Sequence, residues 1–162
     1  MKCYLSLGSN LGNRWQYLQD AVQKIEVLIG ECSQKSAIYE SMPWGKTDQT
    51  WFLNQVLEVQ TDLLPLAVLE QCLAIENQLD RQRIEKWGAR TMDIDVLFYE
   101  DLMIDTNRLK VPHPYISERR FVLEPLHEIA PNFQHPIIKQ TIQYLLDNCT
   151  DALEVKVFNK IE

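Results

Sequence analysis

Asp93-Ile94-Asp95 is the segment of this 162-residue chain that most directly suggests chemistry. Thr91 to Tyr99 contains Ile94, Val96, Leu97 and Phe98, residues that favour extended backbone. On a strand, positions i and i+2 share a face, so Asp93 and Asp95 project together while Ile94 and Val96 point the other way. Two carboxylates so placed repel each other and call for a cation. Magnesium takes oxygen ligands and commonly combines one or two carboxylates with substrate phosphates. The pair could therefore hold one or two Mg²⁺ ions against a nucleoside triphosphate. An Asp-x-Asp also occurs at solvated strand ends, so its surroundings decide between the two.

Those surroundings are basic. Arg81, Arg83, Lys86 and Arg90 against Glu85 give residues 81–90 four positive charges and one negative, a balance of +3 in a chain of net charge −7. Guanidinium groups neutralise phosphate oxygens bidentately, which suits phosphoryl transfer. A second basic stretch holds Arg108, Lys110, His113, Arg119 and Arg120. Pro112 and Pro114 restrain the backbone of His113, whose ring could donate to a phosphate. Trp44, Trp51, Phe52, Trp87 and Phe121 offer stacking surfaces for a flat acceptor. Asn54 shares a strand face with Phe52, and its amide carries both a donor and an acceptor for a heterocycle edge. Gly8-Ser9-Asn10-Leu11-Gly12 lacks the Gly-Lys-Ser/Thr ending of a phosphate loop, and no GxGxxG follows elsewhere. Any ATP site here is built without either nucleotide motif. His127 and His135 lack the company that His113 has and read as structural or surface residues.

The elements that must carry these residues alternate. Lys2 to Leu7 has a strand pattern, and Leu18, Ala21, Val22, Ile25, Leu28 and Ile29 recur at helical spacing up to Gly30. Strands are expected over Ser33–Glu40 and Phe52–Thr61, with a Pro43- and Gly45-containing loop between them. Pro65 opens a helix running to about Asp80. The charged 81–90 stretch is expected as a loop, Thr91–Tyr99 as a strand, and Phe121–Ile129 and Thr141–Leu146 as short helices. Val111-Pro112-His113-Pro114 is incompatible with helix. The order βαββαβ predicts an α+β, ferredoxin-like antiparallel sheet with helices on one face, plus a C-terminal appendage. The length suits a single domain over residues 1–162.

Bulk properties narrow the function. A pI near 5.0 argues against a broad nucleic-acid or membrane surface, and no window is apolar enough for a membrane span. Cys3, Cys32, Cys72 and Cys149 form no paired spacing and read as reduced core thiols, which points to a cytoplasmic protein.

Lys86-Trp87-Gly88-Ala89-Arg90-Thr91-Met92-Asp93-Ile94-Asp95-Val96-Leu97 resembles the signature of the hydroxymethyldihydropterin pyrophosphokinases of folate biosynthesis. Four further segments agree in order: Tyr4 to Gly12, Tyr39 to Gly45, Phe52 to Asn54, and Val111 to Phe121. The resemblance covers about residues 4–130. It implies that the hydroxymethyl oxygen of 6-hydroxymethyl-7,8-dihydropterin attacks the β-phosphorus of ATP and that AMP leaves. Asp93 and Asp95 would ligate two Mg²⁺ ions. Arg81, Arg83 and Arg90 would lie in or near a mobile catalytic loop, while Glu76, Arg108, Lys110, His113 and Arg119 would lie near the nucleotide. Phe52 and Phe121 would sandwich the pterin. Asn54 and groups around Met42, Pro43, Trp44 and Gly45 would bond its edge, and Trp87 would close over it. Asp95 is a candidate to accept the hydroxyl proton, with the general base left open. Asp80, Glu85, Ala89 and Lys110 depart from the common family pattern, which bears on loop closure and nucleotide affinity.

The implied protein is a monofunctional enzyme acting on two small molecules, a monomer or weak oligomer. Two other possibilities carry different signatures. A simple kinase would release ADP and a nucleotidyl transferase pyrophosphate. A non-catalytic RNA-binding module would need aromatic RNP strands and a basic face, and neither is present.

Overall fold

Along β1 (Lys2–Ser9), Cys3, Leu5 and Leu7 alternate with Tyr4, Ser6 and Gly8, and that alternation divides the apolar residues into two cores. The structure is a computed structural model describing residues 1–43, 48–79 and 91–160. After β1 come α1 (Arg14–Leu28), β2 (Gly30–Lys35), β3 (Tyr39–Ser41), β4 (Phe52–Thr61), α2 (Pro65–Gln78) and β5 (Asp93–Tyr99). A hairpin of β6 (Ile104–Asp105) and β7 (Lys110–Val111), a 3-10 turn at Ile116–Glu118, α3 (Arg120–Ile129), α4 (Ile142–Asp147) and β8 (Val155–Val157) complete the chain.

The main sheet is antiparallel with order β5-β1-β4-β3-β8, and β2 also pairs with β4. This is the expected α+β plan. Leu18, Ala21, Val22 and Ile25 of α1, with Val68, Cys72 and Ile75 of α2, bury one face of the sheet against Leu5, Leu7, Leu57 and Ile94. The expectation of helices on one face covers only these two. Val122, Leu123 and Leu126 of α3 and Ile142 and Leu145 of α4 pack on the opposite face, against Tyr4, Val56, Leu97 and Phe98. The C-terminal appendage therefore builds a second core and leaves only part of that face open.

One local feature departs from sequence expectation and a second follows it. The single strand expected over Ser33–Glu40 is two, broken at Ser36. There the Ser36 amide donates to Val56 O at 2.9 Å while the Val56 amide donates back to Ser36 Oγ at 3.0 Å, so a side chain replaces one ladder position. Gly30 follows the end of α1, as expected, and is also the first residue of β2. A Cβ at Gly30 would lie 1.9 Å from Gln60 O, which only glycine avoids. Gly30→Ala is expected to destabilise the protein by about 2–3 kcal/mol through forced separation of β2 from β4, measured by urea unfolding. An unchanged midpoint would contradict the close approach.

All four cysteines are free. Burial pushes Cys3 up to about 12 and raises Cys72 further, as for inert core thiols, whereas Cys32 and Cys149 are only half-buried. Among the described residues no helix is long and apolar enough to cross a membrane.

Candidate active site

Strand register aligns the sequence-predicted residues in rows. Asp93 of β5 pairs with Gly8 of β1, which pairs with Asn54 of β4. In the next row Asp95 pairs with Ser6 and Ser6 with Val56. Side chains of laterally paired residues share a face, so Asp93, Asp95, Asn54 and Phe52 all project on the side that α3 and α4 partly cover. Gly8 leaves a gap in the middle of that row. A Cβ there would meet Asn54 Oδ1 at 3.5 Å and the Phe52 ring at 3.7 Å. The floor between the carboxylates and Asn54 is thus backbone, lined by an amide and an aromatic ring.

Both aspartates are half-buried. The strand between them is fastened from behind: Glu76 of α2, 2% exposed, accepts the Ile94 amide at 2.9 Å. Glu76 is expected near the nucleotide, and its bond to Ile94 places it immediately behind the Asp93–Asp95 segment of β5. Among the described residues no group of three His, Cys, Asp or Glu side chains could enclose a metal. A two-carboxylate site suits a cation that completes its shell with water and phosphate oxygens, as magnesium does, and is too sparse for a closed structural site.

His113 approaches from the loop after β7. Its amide donates to Leu97 O at 3.0 Å, and the Val111–Pro112 peptide before it is cis. Nδ1 accepts the Tyr115 amide at 3.2 Å, which assigns the proton of the neutral ring to Nε2. Nε2 lies 4.0 Å from Asp95 Oδ2. Burial, reinforced by Arg119, lowers His113 to about 4, with Asp93 opposing. At neutral pH the ring is an uncharged Nε2–H donor facing the carboxylate side of the site. In the ligand-free protein, NMR titration of His113 is expected to show a midpoint near 4. An ordinary midpoint near 6.5 would contradict its burial. The folded pKa is depressed, so between pH 6.5 and 4 the unfolded chain binds the extra proton. This contribution to stability is complete above 6.5 and declines as pH falls through that window.

Arg119 and Arg120, adjacent in sequence, divide their roles. Arg119 is buried, and its guanidinium lies 4.8 Å from the Tyr115 ring centre and 5.7 Å from that of Phe121. Arg120 turns away: Nε donates to Asp151 O and Nη2 to Cys149 O, each at 3.0 Å, while its amide donates to Asp151 Oδ2. Arg119 is thus carried beside His113, and Arg120 anchors the start of α3, including half-buried Phe121. Arg108 and Lys110 are exposed and paired with Glu70 at 3.4 Å and Asp105 at 2.7 Å. They lie on the hairpin side of β5 as separate surface ion pairs.

On the Asn54 side the structure adds residues that the sequence did not single out. Asn54 Nδ2 donates to Ser41 Oγ at 2.7 Å, and both are buried. That bond orients the amide, leaving Oδ1 toward the Gly8 gap. Met42 is half-buried and Pro43 buried, directly after Ser41. At the other end of this connection, Asn10 Nδ2 donates to Gln49 Oε1 at 2.8 Å and Thr50 O at 2.9 Å, and Arg14 Nη1 donates to Trp51 O at 2.8 Å. The Gly8–Gly12 segment that invites comparison with a phosphate loop therefore holds the 48–51 stretch through Asn10. A Ser two residues before Pro43 and an Asn in a turn are too common to signal these bonds from sequence. Arg81, Arg83, Arg90, Trp44, Gly45 and Trp87 lie outside the described residues, as do Asp80, Glu85 and Ala89.

Comparison with known proteins bears on this arrangement. Residues 4–131 match the family described as 7,8-dihydro-6-hydroxymethylpterin-pyrophosphokinase. The chain is 44% identical over 140 residues to the 2-amino-4-hydroxy-6-hydroxymethyldihydropteridine pyrophosphokinase of Aquifex aeolicus, covering 86% of this chain and 87% of that one. It is 46% identical over 128 residues to the enzyme of the same name from Bacillus subtilis, covering 78% and 77%. Among solved structures it resembles the HPPK-DHPS of Plasmodium falciparum, with a TM-score of 0.75 and 18% identity, covering 90% of this chain and 45% of that one. That likeness concerns the fold alone, and this chain spans less than half of that protein. With a family match across most of the chain and close relatives matched along most of their length, the chain belongs to the 7,8-dihydro-6-hydroxymethylpterin pyrophosphokinase family.

Proposed function

We propose that this pyrophosphokinase of folate biosynthesis transfers the terminal pyrophosphoryl group of ATP to the hydroxymethyl oxygen of 6-hydroxymethyl-7,8-dihydropterin on the open part of the sheet face. The observation that carries the site assignment is the row Asp93–Gly8–Asn54, with Asp95 and the His113 Nε2–H one row away. It provides an anionic end for magnesium and triphosphate, and an amide-and-aromatic end for a flat heterocycle. Asp93 and Asp95 would hold Mg²⁺, and the bound metal supplies charge neutralisation at the phosphate oxygens.

The chain's own residues then divide the work. Asn54, oriented by Ser41, bonds the pterin edge, and backbone groups at Met42 and Pro43, with Trp44 and Gly45, extend that recognition. Phe52 and Phe121 stack on the ring, and Trp87 covers it. His113, neutral and donating from Nε2, binds phosphate, and Arg119 adds positive charge beside it. Arg81, Arg83 and Arg90 neutralise charge that spreads over the phosphate oxygens in the transition state. Glu76 acts from behind the strand, with Arg108 and Lys110 toward the adenosine side. The new bond joins the acceptor oxygen to the β-phosphorus, the bond from the β-phosphorus to the oxygen bridging to the α-phosphorus breaks, and AMP leaves with that oxygen. The acceptor's hydroxyl proton is lost, with Asp95 as the candidate to take it. Positioning and electrostatics account for most of the acceleration in such transfers.

The chain would act in the cytoplasm, where free thiols persist, as a monomer or weak oligomer. The test is separation of nucleotide products after incubation with ATP, Mg²⁺ and the pterin. AMP formed only in the presence of the pterin is expected. ADP would indicate a simple kinase, and pyrophosphate release a nucleotidyl transferase.

A further inference from the structure

The C-terminal strand reaches the acceptor side of the site through the backbone. β8 pairs with β3 in the register Tyr39↔Val157, Glu40↔Lys156 and Ser41↔Val155. The bonding continues beyond both strands at each end. The Phe158 amide donates to Ile38 O at 2.8 Å, and the Met42 amide donates to Glu154 O at 3.1 Å. Ser41, whose hydroxyl orients Asn54, and the adjoining Met42, where the acceptor connection begins, therefore lie along an edge supplied by residues 154–158. Side chains tie the same segment to the other end of that connection. The Lys156 ammonium lies 5.3 Å from the Trp51 ring centre, and the Trp51 carbonyl accepts from Arg14. Arg14 also pairs with Glu40, the register partner of Lys156, at 2.8 Å. Lys160 then lies 3.7 Å from the Trp15 ring centre, carrying the tail across the start of α1.

We infer that residues 154–160 position the acceptor pocket: they hold Ser41 and Met42 so that the Asn54 amide meets the heterocycle in one orientation. This rests on the proposal that Asn54 and residues 42–43 face the pterin. A strand that only covered a sheet edge would stabilise the protein without favouring one substrate. Weakening a positioning strand raises the KM for the pterin while leaving kcat and the KM for ATP in place, because the strand acts on acceptor binding alone.

The test uses full-length wild type, Phe158→Pro and Lys156→Ala. Phe158→Pro removes the amide that bonds Ile38 O together with the ring that packs against the first core and lies 5.8 Å from the Arg14 guanidinium, and Lys156→Ala removes the cation from Trp51. Neither residue belongs to the proposed binding machinery. Phe158→Pro is expected to raise the KM for the pterin roughly three- to tenfold, the lost backbone hydrogen bond alone accounting for a change of this order. It should accelerate exchange of the Met42 amide, with kcat and the KM for ATP within about twofold of wild type. Lys156→Ala is expected to raise the pterin KM about two- to threefold. Faster Met42 exchange with an unchanged pterin KM would overturn the proposal, as would loss of kcat and both KM values together. If Phe158→Pro does not fold, Lys156→Ala decides alone, and an unchanged pterin KM overturns it. A wild type that forms no AMP removes the functional proposal and this inference with it. An active wild type with indifferent variants removes this inference alone.

Discussion

Asp93→Ala and Asp95→Ala are each expected to lower turnover by about two to three orders of magnitude while leaving the fold intact. The size follows from loss of charge stabilisation aimed at the reacting phosphates, where single-group removals cost about 100- to 1,000-fold. The intact fold follows from position. Both side chains are half-buried on the open part of the face, outside either apolar core. What holds this strand is Ile94, Val96 and Tyr99 in the first core and the Ile94 amide bonded to Glu76. The melting temperature of either variant should therefore stay close to that of wild type without magnesium. Steady-state kinetics with saturating magnesium, beside thermal melts, distinguishes the cases. Near-normal turnover in either variant would falsify the assignment of the pair, and a collapsed melting temperature would assign it a structural role.

Asn54→Ala is expected to raise the KM for the pterin by about tenfold to a hundredfold, with a much smaller change in the KM for ATP. A site built to hydrogen-bond a heterocycle loses about 1–3 kcal/mol when a buried polar group is left unpaired, which converts to about fivefold to 150-fold and brackets that range. Ser41 Oγ loses its donor in the same substitution, since Asn54 Nδ2 is bonded to it. Ser41→Ala should reproduce part of the effect, because it releases the amide without removing it. Equal changes in the KM for both substrates would place Asn54 in general packing rather than in acceptor recognition.

How far these assignments were visible beforehand depends on the kind of interaction. β4 lies over Phe52–Thr61 as expected, and Asp93 and Asp95 share a face, because period-2 alternation is a property of consecutive residues. Helix existence follows the same way from the 3.6 period of Leu18, Ala21, Val22 and Ile25. What needed the structure are contacts between residues distant in sequence. The Gly8 gap between Asp93 and Asn54 arises from the register of three strands, and alternation fixes the face of each residue but leaves shifts of two residues open. The Ser41–Asn54 bond, the Asn10 bonds to Gln49 and Thr50, and β8 on β3 join positions across 13, about 40 and more than 110 residues in the chain. The break at Ser36 was missed because the serine hydroxyl bonds Val56 as backbone would. The basic stretch from 108 to 120 was legible as charge but not as direction. Arg119 turns toward Tyr115 and Phe121, Arg120 toward Asp151, and Arg108 toward Glu70.

The most direct measurement follows the phosphorus atoms. ATP carrying ³²P at either the β- or the γ-phosphorus is incubated with the protein, Mg²⁺ and 6-hydroxymethyl-7,8-dihydropterin, and the products are separated by chromatography and counted. Both labels should appear on the pterin as a diphosphate, with unlabelled AMP as the other product. Transfer of the γ-label alone, leaving ADP, would contradict the account of a site that directs attack to the β-phosphorus.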